Sequence, residues 1–276
     1  MFISISLIAL FYASDPVYRS ARDFFKAGYY EEAITEFKRY LFFNPDAESA
    51  MPAYYQMGRA YFELGVVEAA VDMAALAARA APDDSNRWEC ELKTGVIAIA
   101  AGSYSRAEMI LLQLEMSTAN PKIRERSALF RAVACLYAYK WSEARAAVDE
   151  FFRYRPDPET QLRVDSLLRG AERMKLKSPA AALWLSTFLP GAGQLYSGEW
   201  RAALNAFVLN GGFAAWGGYK LLNRYWDDAY LIGSFLWQRY YFGNRFHARR
   251  MTEDKNDQTR RRAAQKVIDL LQTRDR

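Results

Sequence analysis

Reactive side chains are sparse in this chain of 276 residues. Its single histidine, His247, lies in a basic stretch, where a solvated surface residue is expected rather than a catalytic one. The two cysteines, Cys90 and Cys135, form no CxxC pair and lack the spacing of metal ligands. Cys135 falls at an apolar helix position, so we expect a buried free thiol there; a disulfide has weak support.

An enzyme would need polar side chains that converge in a pocket. The second half of the chain offers only a small set beside a glycine-rich segment: Gln194, Glu199, Asp227 and Asp228. The glycines do not form a phosphate loop, because no GK[ST] follows them and no strand is predicted before them. We therefore predict no catalytic residue, no cofactor and no metal, and keep as an alternative an enzyme with its chemistry at this glycine-rich turn.

Composition divides the chain into two parts. Residues 1–172 contain 20 Lys and Arg against 24 Asp and Glu, whereas residues 173–276 contain 17 against 8. Nine of the 15 glycines lie between Gly191 and Gly243, and five of the seven tryptophans follow residue 180. Two such compositions predict two domains in different surroundings.

The first 14 residues carry no charge and are too short to cross a bilayer as a helix. They match the apolar core of a secretory signal, with cleavage near Ala13 or Ser14. No lysine or arginine precedes the run, so a first helix that packs on the following residues remains the alternative. We predict a signal peptide over residues 1–14.

An internal repeat of 37 residues organises residues 15–157. One column of this repeat is an alanine, at Ala33, Ala70, Ala107 and Ala144. A second column is a turn glycine at Gly28, Gly65 and Gly102, which Tyr139 replaces in the fourth unit. Fixed self-similarity of this length is typical of stacked helical hairpins, because one hairpin cannot bury its apolar face alone. The pattern predicts an all-α solenoid of four units, followed by a capping helix or linker over residues 158–177.

The second unit resembles the tetratricopeptide repeat. The residues that carry the resemblance are Tyr54, Gly58, Tyr61, Gly65, Ala70 and Pro82. The family implies that the first helix of each unit lines a groove for a protein partner. Here the implied groove residues are Tyr18, Arg22, Lys26, Tyr55, Arg59 and Phe62. An aromatic and basic groove suits an amphipathic helix or an acidic segment.

Residues 178–243 contain long stretches without charge: residues 178–198, 202–219 and 229–238. Aromatic residues such as Trp200, Tyr219 and Trp226 lie near the ends of these stretches, as they do at membrane interfaces. The pattern predicts a hydrophobic helical membrane domain with a transmembrane helix that contacts lipid. A soluble helical hairpin docked on the repeats is the alternative.

The sharpest local motif lies inside this region. It consists of Leu189, Pro190, Gly191, Gly193, Gln194, Tyr196 and Gly198. The segment resembles the LPGxGQxYxG signature of bacterial membrane domains of unknown function, which implies a membrane hairpin with no known activity. Pro190 is expected to break a helix, and Gln194 to bond the carbonyls that the break frees.

Residues 244–276 form a basic tail that suits anionic lipid head groups, and nucleic acid is not favoured as a partner. Together these patterns predict a non-enzymatic scaffold at the membrane of the bacterial cell envelope, with the repeats in the periplasm. It would bind a protein partner in its groove. An accessory factor of envelope protein assembly or transport is a further alternative.

Overall fold

A computed structural model describes residues 15–45 and 47–272, and all regular structure in this part of the chain is helical, so the all-α prediction is confirmed. The predicted signal peptide lies outside the described residues. The described chain divides into two compact units: residues up to Leu168 together with those from Val267 onward, and Arg169–Lys266.

Helices of the first unit follow one another as hairpins. In chain order they are α1 Pro16–Lys26, α2 Tyr30–Phe43, α3 Ala47–Glu63, α4 Val67–Arg79, α5 Asp84–Ala100, α6 Tyr104–Ser117, α7 Pro121–Tyr137 and α8 Trp141–Tyr154. Helix α9, Pro158–Glu172, comes next and continues past Leu168. Each hairpin therefore occupies one period of the sequence repeat.

The turn inside each hairpin has the same left-handed backbone. Its φ is 84° at Gly28, 74° at Gly65, 74° at Gly102 and 60° at Tyr139. In the second hairpin the amide of Gly65 donates to the carbonyl of Phe62, and the amide of Val66 donates to that of Tyr61, both at 2.9 Å. These bonds end the first helix, and glycine suits the turn because it has no Cβ to clash. Tyr139 adopts the same angle without that freedom.

Small residues bring the two helices of a hairpin together. The predicted alanine column, Ala33, Ala70, Ala107 and Ala144, is fully buried. A second column on the first helices was not recognised in the sequence: Ala21, Gly58, Gly95 and Ala132. A Cβ at Gly58 would lie 3.0 Å from the carbonyl oxygen of Ala70, and one at Gly95 would lie 2.6 Å from Cδ2 of Leu111. The middle hairpins thus pack more closely than a methyl group allows.

The second unit continues with short and long helices. They are α10 Pro179–Phe188, α11 Ala192–Ser197, α12 Trp200–Leu222, α13 Trp226–Leu231, a π-helix Ile232–Trp237 and α14 Gln238–Gln272. Helix α12 packs on the π-helix, where a Cβ at Gly217 would lie 3.3 Å from Cγ2 of Ile232. The last helix, α14, begins directly after the π-helix and extends beyond Lys266.

No helix in the described part of the chain is both long and apolar enough to cross a membrane. The transmembrane helix predicted within residues 178–243 is therefore not found. Absence of charge is a weaker property than apolarity: α12 has 23 residues, but it includes Asn205, Asn210 and four glycines. Helix α10 has only 10 residues and ends before Pro190.

Candidate functional site

Tyr18, one of the predicted groove residues, belongs to the hydrophobic core. Only 6% of it is exposed, and its ring centroid lies 5.6 Å from that of Phe37 and 5.1 Å from that of Tyr40. Burial raises the pKa of the Tyr18 phenol by more than the nearby Arg22 guanidinium lowers it. Its ring is thus used in packing α1 on α2 and is not available to a partner.

The other predicted groove residues on α1 and α3 lie at or near the surface. Arg22 and Lys26 are exposed on α1. The guanidinium of Arg59 lies 4.7 Å from the ring centroid of Phe25, and its Nη1 donates to Oε1 of Gln56 at 3.3 Å. Phe25 and Arg59 belong to the first helices of consecutive hairpins, so a cation–π contact joins these two helices.

The same type of contact recurs one hairpin further on. The Nζ of Lys93 on α5 lies 4.8 Å from the ring centroid of the half-buried Tyr55 on α3. Phe62, near the end of α3, is also half-buried. We use the name first-helix stripe for the basic and aromatic residues of these first helices: Arg22, Phe25, Lys26, Tyr55, Arg59, Phe62 and Lys93.

Ion pairs continue the connection between α5 and α7. The Nη1 of Arg126 on α7 lies 2.9 Å from both carboxylate oxygens of Glu89 on α5. These two residues are 37 positions apart, so they occupy equivalent places in consecutive units. Among the stripe cations, Arg22 and Lys26 on α1 and Arg59 on α3 are exposed, whereas Lys93 on α5 is half-buried.

Three glycines of the LPGxGQxYxG-like motif have distinct structural roles. Gly191 has a φ of 97°, and a Cβ there would lie 2.4 Å from the carbonyl oxygen of Ala203. A Cβ at Gly193 would lie 2.1 Å from the carbonyl oxygen of Ala182. Gly198 has a φ of 91°, and a Cβ there would be in ordinary contact with Nζ of Lys177, at 3.9 Å. Two of the glycines thus permit close helix contact, whereas the third serves the backbone conformation alone.

The other members of the motif surround this turn. Pro190 follows α10 and is half-buried. The hydroxyl oxygen of Tyr196 accepts a hydrogen bond from the amide of Ser178 at 3.1 Å, and its carbonyl accepts one from Nζ of Lys177 at 2.7 Å. Tyr196 therefore fixes the chain that leads into α10.

Gln194 is buried and bonds to a different helix from the one expected. Its Nε2 donates to the backbone carbonyl of Asn244 at 3.2 Å and to the Oδ1 of the same residue. Ser186 Oγ donates to Gln194 Oε1 at 3.1 Å and accepts from the amide of Gly193 at 3.0 Å. The carbonyl that Gln194 satisfies thus belongs to α14, 50 residues away, and not to the break at Pro190.

Polar residues on one face of α14 make further bonds that were missed in the sequence. Thr252 Oγ1 lies 2.6 Å from Oγ of Ser197. Asn256 Nδ2 donates to the backbone carbonyl of Lys177 at 2.7 Å, and Asn256 Oδ1 accepts from the backbone amide of Lys177 at 3.1 Å. Asn244, Thr252 and Asn256 are four or eight residues apart, so a short polar row at helical spacing was the available signal.

Large apolar side chains are widely exposed on the second unit. We name this set the aromatic surface; its exposed members include Trp184, Phe188, Trp200, Leu222, Trp226 and Tyr230. Phe188 is 82% exposed. Soluble monomers rarely expose so many large apolar groups, and such a surface is typical of a site that contacts lipid or another protein.

Three of the four residues of the enzyme alternative have separate partners, and the fourth, Asp227, is exposed. Glu199 Oε1 lies 2.6 Å from Nζ of Lys255, and Asp228 Oδ2 lies 2.8 Å from Nζ of Lys220. Gln194 bonds to Asn244 as described above. Across residues 15–45 and 47–272, no group of three or more His, Cys, Asp or Glu is arranged to hold a metal ion.

Comparison of the chain with protein-family models, curated protein sequences and solved structures finds no match.

Proposed function

We propose that this protein is a non-enzymatic, membrane-associated scaffold. The helical array, which resembles tetratricopeptide repeats, binds an acidic protein segment along the first-helix stripe. The second unit attaches the array to lipid through the aromatic surface, without a helix that crosses the bilayer. The observation that carries the proposal is the exposure of large apolar side chains on the second unit.

Lipid suits the aromatic surface because cations accompany its rings. The guanidinium of Arg201 lies 5.4 Å from the ring centroid of Trp200, and the Nζ of Lys220 lies 4.8 Å from that of Tyr225. Tryptophan and tyrosine concentrate where acyl chains meet head groups, and lysine and arginine are attracted to anionic head groups. A mixed aromatic and basic surface is therefore complementary to an anionic bilayer.

Flotation with vesicles of phosphatidylcholine and phosphatidylglycerol tests the attachment. The full chain should float with the vesicles, and a triple variant, Phe188→Ser with Trp226→Ser and Tyr230→Ser, should stay in the dense fraction. Phe42→Ser is the matched control, because Phe42 is 80% exposed but lies on α2 of the first unit. A wild-type protein that fails to float, or that sediments as a stable dimer through this surface, would overturn the lipid attachment.

Charge on the first-helix stripe supports an acidic partner. Arg22 and Lys26 are exposed, and opposite charge increases the rate at which such a partner associates. The double variant Arg22→Glu with Lys26→Glu should weaken binding of a fluorescent acidic amphipathic peptide, as measured by anisotropy. Lys38→Glu, which changes an exposed charge on α2, should not. Equal affinity of all three proteins for the peptide would contradict the proposed binding face.

A further inference from the structure

A polar cavity of about 500 Å³ lies within the second unit, between α11, α12 and α14. The lining residues with polar side chains are Gln194, Asn205, Asn210, Arg239, Tyr240, Asn244 and His247. The volume is in the range of small-molecule sites in proteins. The cavity is separate from the first-helix stripe, and nothing proposed above depends on it.

Two asparagines that line this cavity each have one buried amide atom without a hydrogen-bond partner in the described structure. These atoms are Oδ1 of Asn210, a residue 3% exposed, and Nδ2 of Asn244, a residue 9% exposed. A buried polar atom left without a partner costs about 1–3 kcal/mol, so such atoms in folded proteins nearly always have one. The two asparagines of the cavity lining thus hold one unsatisfied acceptor and one unsatisfied donor.

Existing hydrogen bonds fix the orientation of these amides. Asn210 Nδ2 donates to the carbonyl of Ala206 at 2.8 Å, so its oxygen must be the free atom. Gln194 Nε2 donates to the backbone carbonyl of Asn244, which can only accept. The same Nε2 donates to Asn244 Oδ1, which leaves Asn244 Nδ2 free. Rotating either asparagine amide by half a turn would break one of these bonds.

The charge around the cavity favours an anion. The exposed Arg239 on α14 supplies a positive charge to its lining, and none of its described lining residues is a carboxylate; the exposed His247, one of the lining residues, adds ring nitrogens for hydrogen bonding. Arg239 binds phosphate oxygens well because its guanidinium can donate two parallel hydrogen bonds. A phosphate also offers more acceptor oxygens than a carboxylate, and one of them can take the free Asn244 donor.

The free acceptor on Asn210 requires a donor that a phosphate diester does not have. A hydroxyl group supplies one, and it can accept as well as donate. We infer that this cavity is a binding site for a hydroxylated phosphate ester, such as a phosphate carrying glycerol. The phosphate lies by Arg239 and His247, and the hydroxyl bonds to the amide of Asn210. Both a lipid head group and a soluble polyol phosphate have this chemistry.

Calorimetric titration of the full chain tests the site with two matched short-chain lipids. Dihexanoyl phosphatidylglycerol carries the hydroxyls, whereas dihexanoyl phosphatidylethanol has the same charge without them. The first should bind saturably at one molecule per chain, and the second about tenfold more weakly, as expected for a lost hydrogen bond. Equal binding of both lipids, or no saturable binding of the first lipid and of glycerol 3-phosphate, would overturn the inference.

Glycerol 3-phosphate alone distinguishes the two sources of the ligand. If it binds as tightly as dihexanoyl phosphatidylglycerol, the ligand is a soluble phosphate ester. If the lipid binds more tightly, the acyl chains contribute and the ligand is a head group. Either result supports a site for hydroxylated phosphate esters, and neither depends on whether the protein floats with vesicles.

Two variants test the named residues. Asn210→Leu removes the unsatisfied acceptor and should weaken binding of the hydroxylated ligand about tenfold, without lowering the midpoint of thermal unfolding. Asn223→Leu is the control. Asn223 lies outside the cavity, but its Nδ2 likewise donates to a carbonyl four residues earlier, that of Tyr219, at 2.8 Å. The exposed Arg239→Gln should weaken binding by a similar or larger factor. Wild-type affinity in either cavity variant would overturn the assignment.

Discussion

The Arg131 guanidinium and the Glu115 carboxylate form a two-point ion pair between α7 and α6. The Nε–Oε1 and Nη2–Oε2 distances are both 2.8 Å, and the two side chains are only 10% and 9% exposed. Burial raises the pKa of the Glu115 carboxyl above its ordinary value; the hydrogen bond and charge of Arg131 oppose this shift, as does the charge of Arg124, and the charge of Glu150 adds to it. Removing this carboxylate from water has a cost that the ion pair with Arg131 opposes.

Removing one member of this pair should lower the free energy of unfolding strongly, whereas replacing both members with apolar residues should not. Arg131→Met leaves Glu115 buried without a partner and should lower the free energy of unfolding by about 3–5 kcal/mol in urea denaturation. The double variant Arg131→Met with Glu115→Leu should return to within about 1 kcal/mol of the wild type or exceed it. Arg126→Met breaks the more exposed pair with Glu89 and should cost less than about 1 kcal/mol. A single Arg131 variant no worse than this control would contradict the argument.

The pH dependence of stability should show the raised pKa of Glu115. A carboxyl whose pKa is higher in the folded than in the unfolded state binds its proton more tightly when folded. Its contribution is therefore fully present below its ordinary pKa of 4.5 and is lost as the pH rises through the folded pKa. The unfolding free energy of the wild type should fall relative to Glu115→Gln over this interval. If the unfolding free energy of the wild type instead rose with pH relative to that of Glu115→Gln, the pKa of Glu115 would be lowered by folding and not raised.

Two glycine substitutions in the first unit and helix α9 should change stability in opposite directions. Gly65→Ala should lower the free energy of unfolding by about 1 kcal/mol, because residues with a Cβ rarely adopt its φ of 74° and are strained there. Gly170→Ala should raise it by roughly 0.5–1 kcal/mol, because Gly170 lies inside α9 with no described atom within 4 Å of the added Cβ. Thermal unfolding followed by circular dichroism measures both. Equal shifts would refute the role given to the left-handed turn.

Alanine substitutions of the motif glycines should destabilise the protein more where other atoms approach the glycine more closely. Gly193→Ala places a methyl group against the Ala182 carbonyl and should destabilise the second unit by about 3 kcal/mol or more. Gly198→Ala meets only backbone strain and should cost about 1 kcal/mol. Limited proteolysis near Gly193, compared between the two variants, reports the difference. The reverse order of susceptibility would contradict the close-contact explanation.

Both cysteines should resist thiol reagents until the protein unfolds. Cys90 and Cys135 are free and buried, and burial raises the pKa of both thiols, that of Cys135 to about 12. Only the thiolate reacts quickly. Ellman's reagent at pH 8 should therefore modify neither residue in the native protein and both in guanidinium chloride. Rapid labelling of the native protein would show that one thiol is accessible.

The sequence repeat predicted the hairpins well because their determinants are local. A glycine at a fixed distance before an alanine specifies the turn and the buried contact within one hairpin, as at Gly65 and Ala70. The small-residue column through Gly58 and Gly95 had the same period and could have been found in the same way. Tyr139 shows the limit of this approach, since its left-handed backbone follows from its position in the repeat and not from its residue type.

The polar contacts of the second unit could not be predicted from local pattern. Gln194 and Asn244 are 50 residues apart, and Ser197 and Thr252 are 55 apart. Their pairing depends on how α11 and α14 pack, which no periodicity within either helix specifies. Tyr18 was misplaced for a related reason. The resemblance to the tetratricopeptide repeat implied a groove position for it, but its contacts with Phe37 and Tyr40 depend on the packing of α1 on α2.

The π-helix Ile232–Trp237 determines the angular phase of α14. An α-helix turns about 100° per residue, so 12 residues of it would place Ile232 and Asn244 roughly 120° apart around the axis. The wider π-turns, at about 82° per residue, remove nearly all of that difference. Ile232 can therefore pack on Gly217 while Asn244 bonds to Gln194 from the same side of one continuous rod. Losing the π-turn would rotate every later side chain by about a quarter turn or more and separate these two contacts.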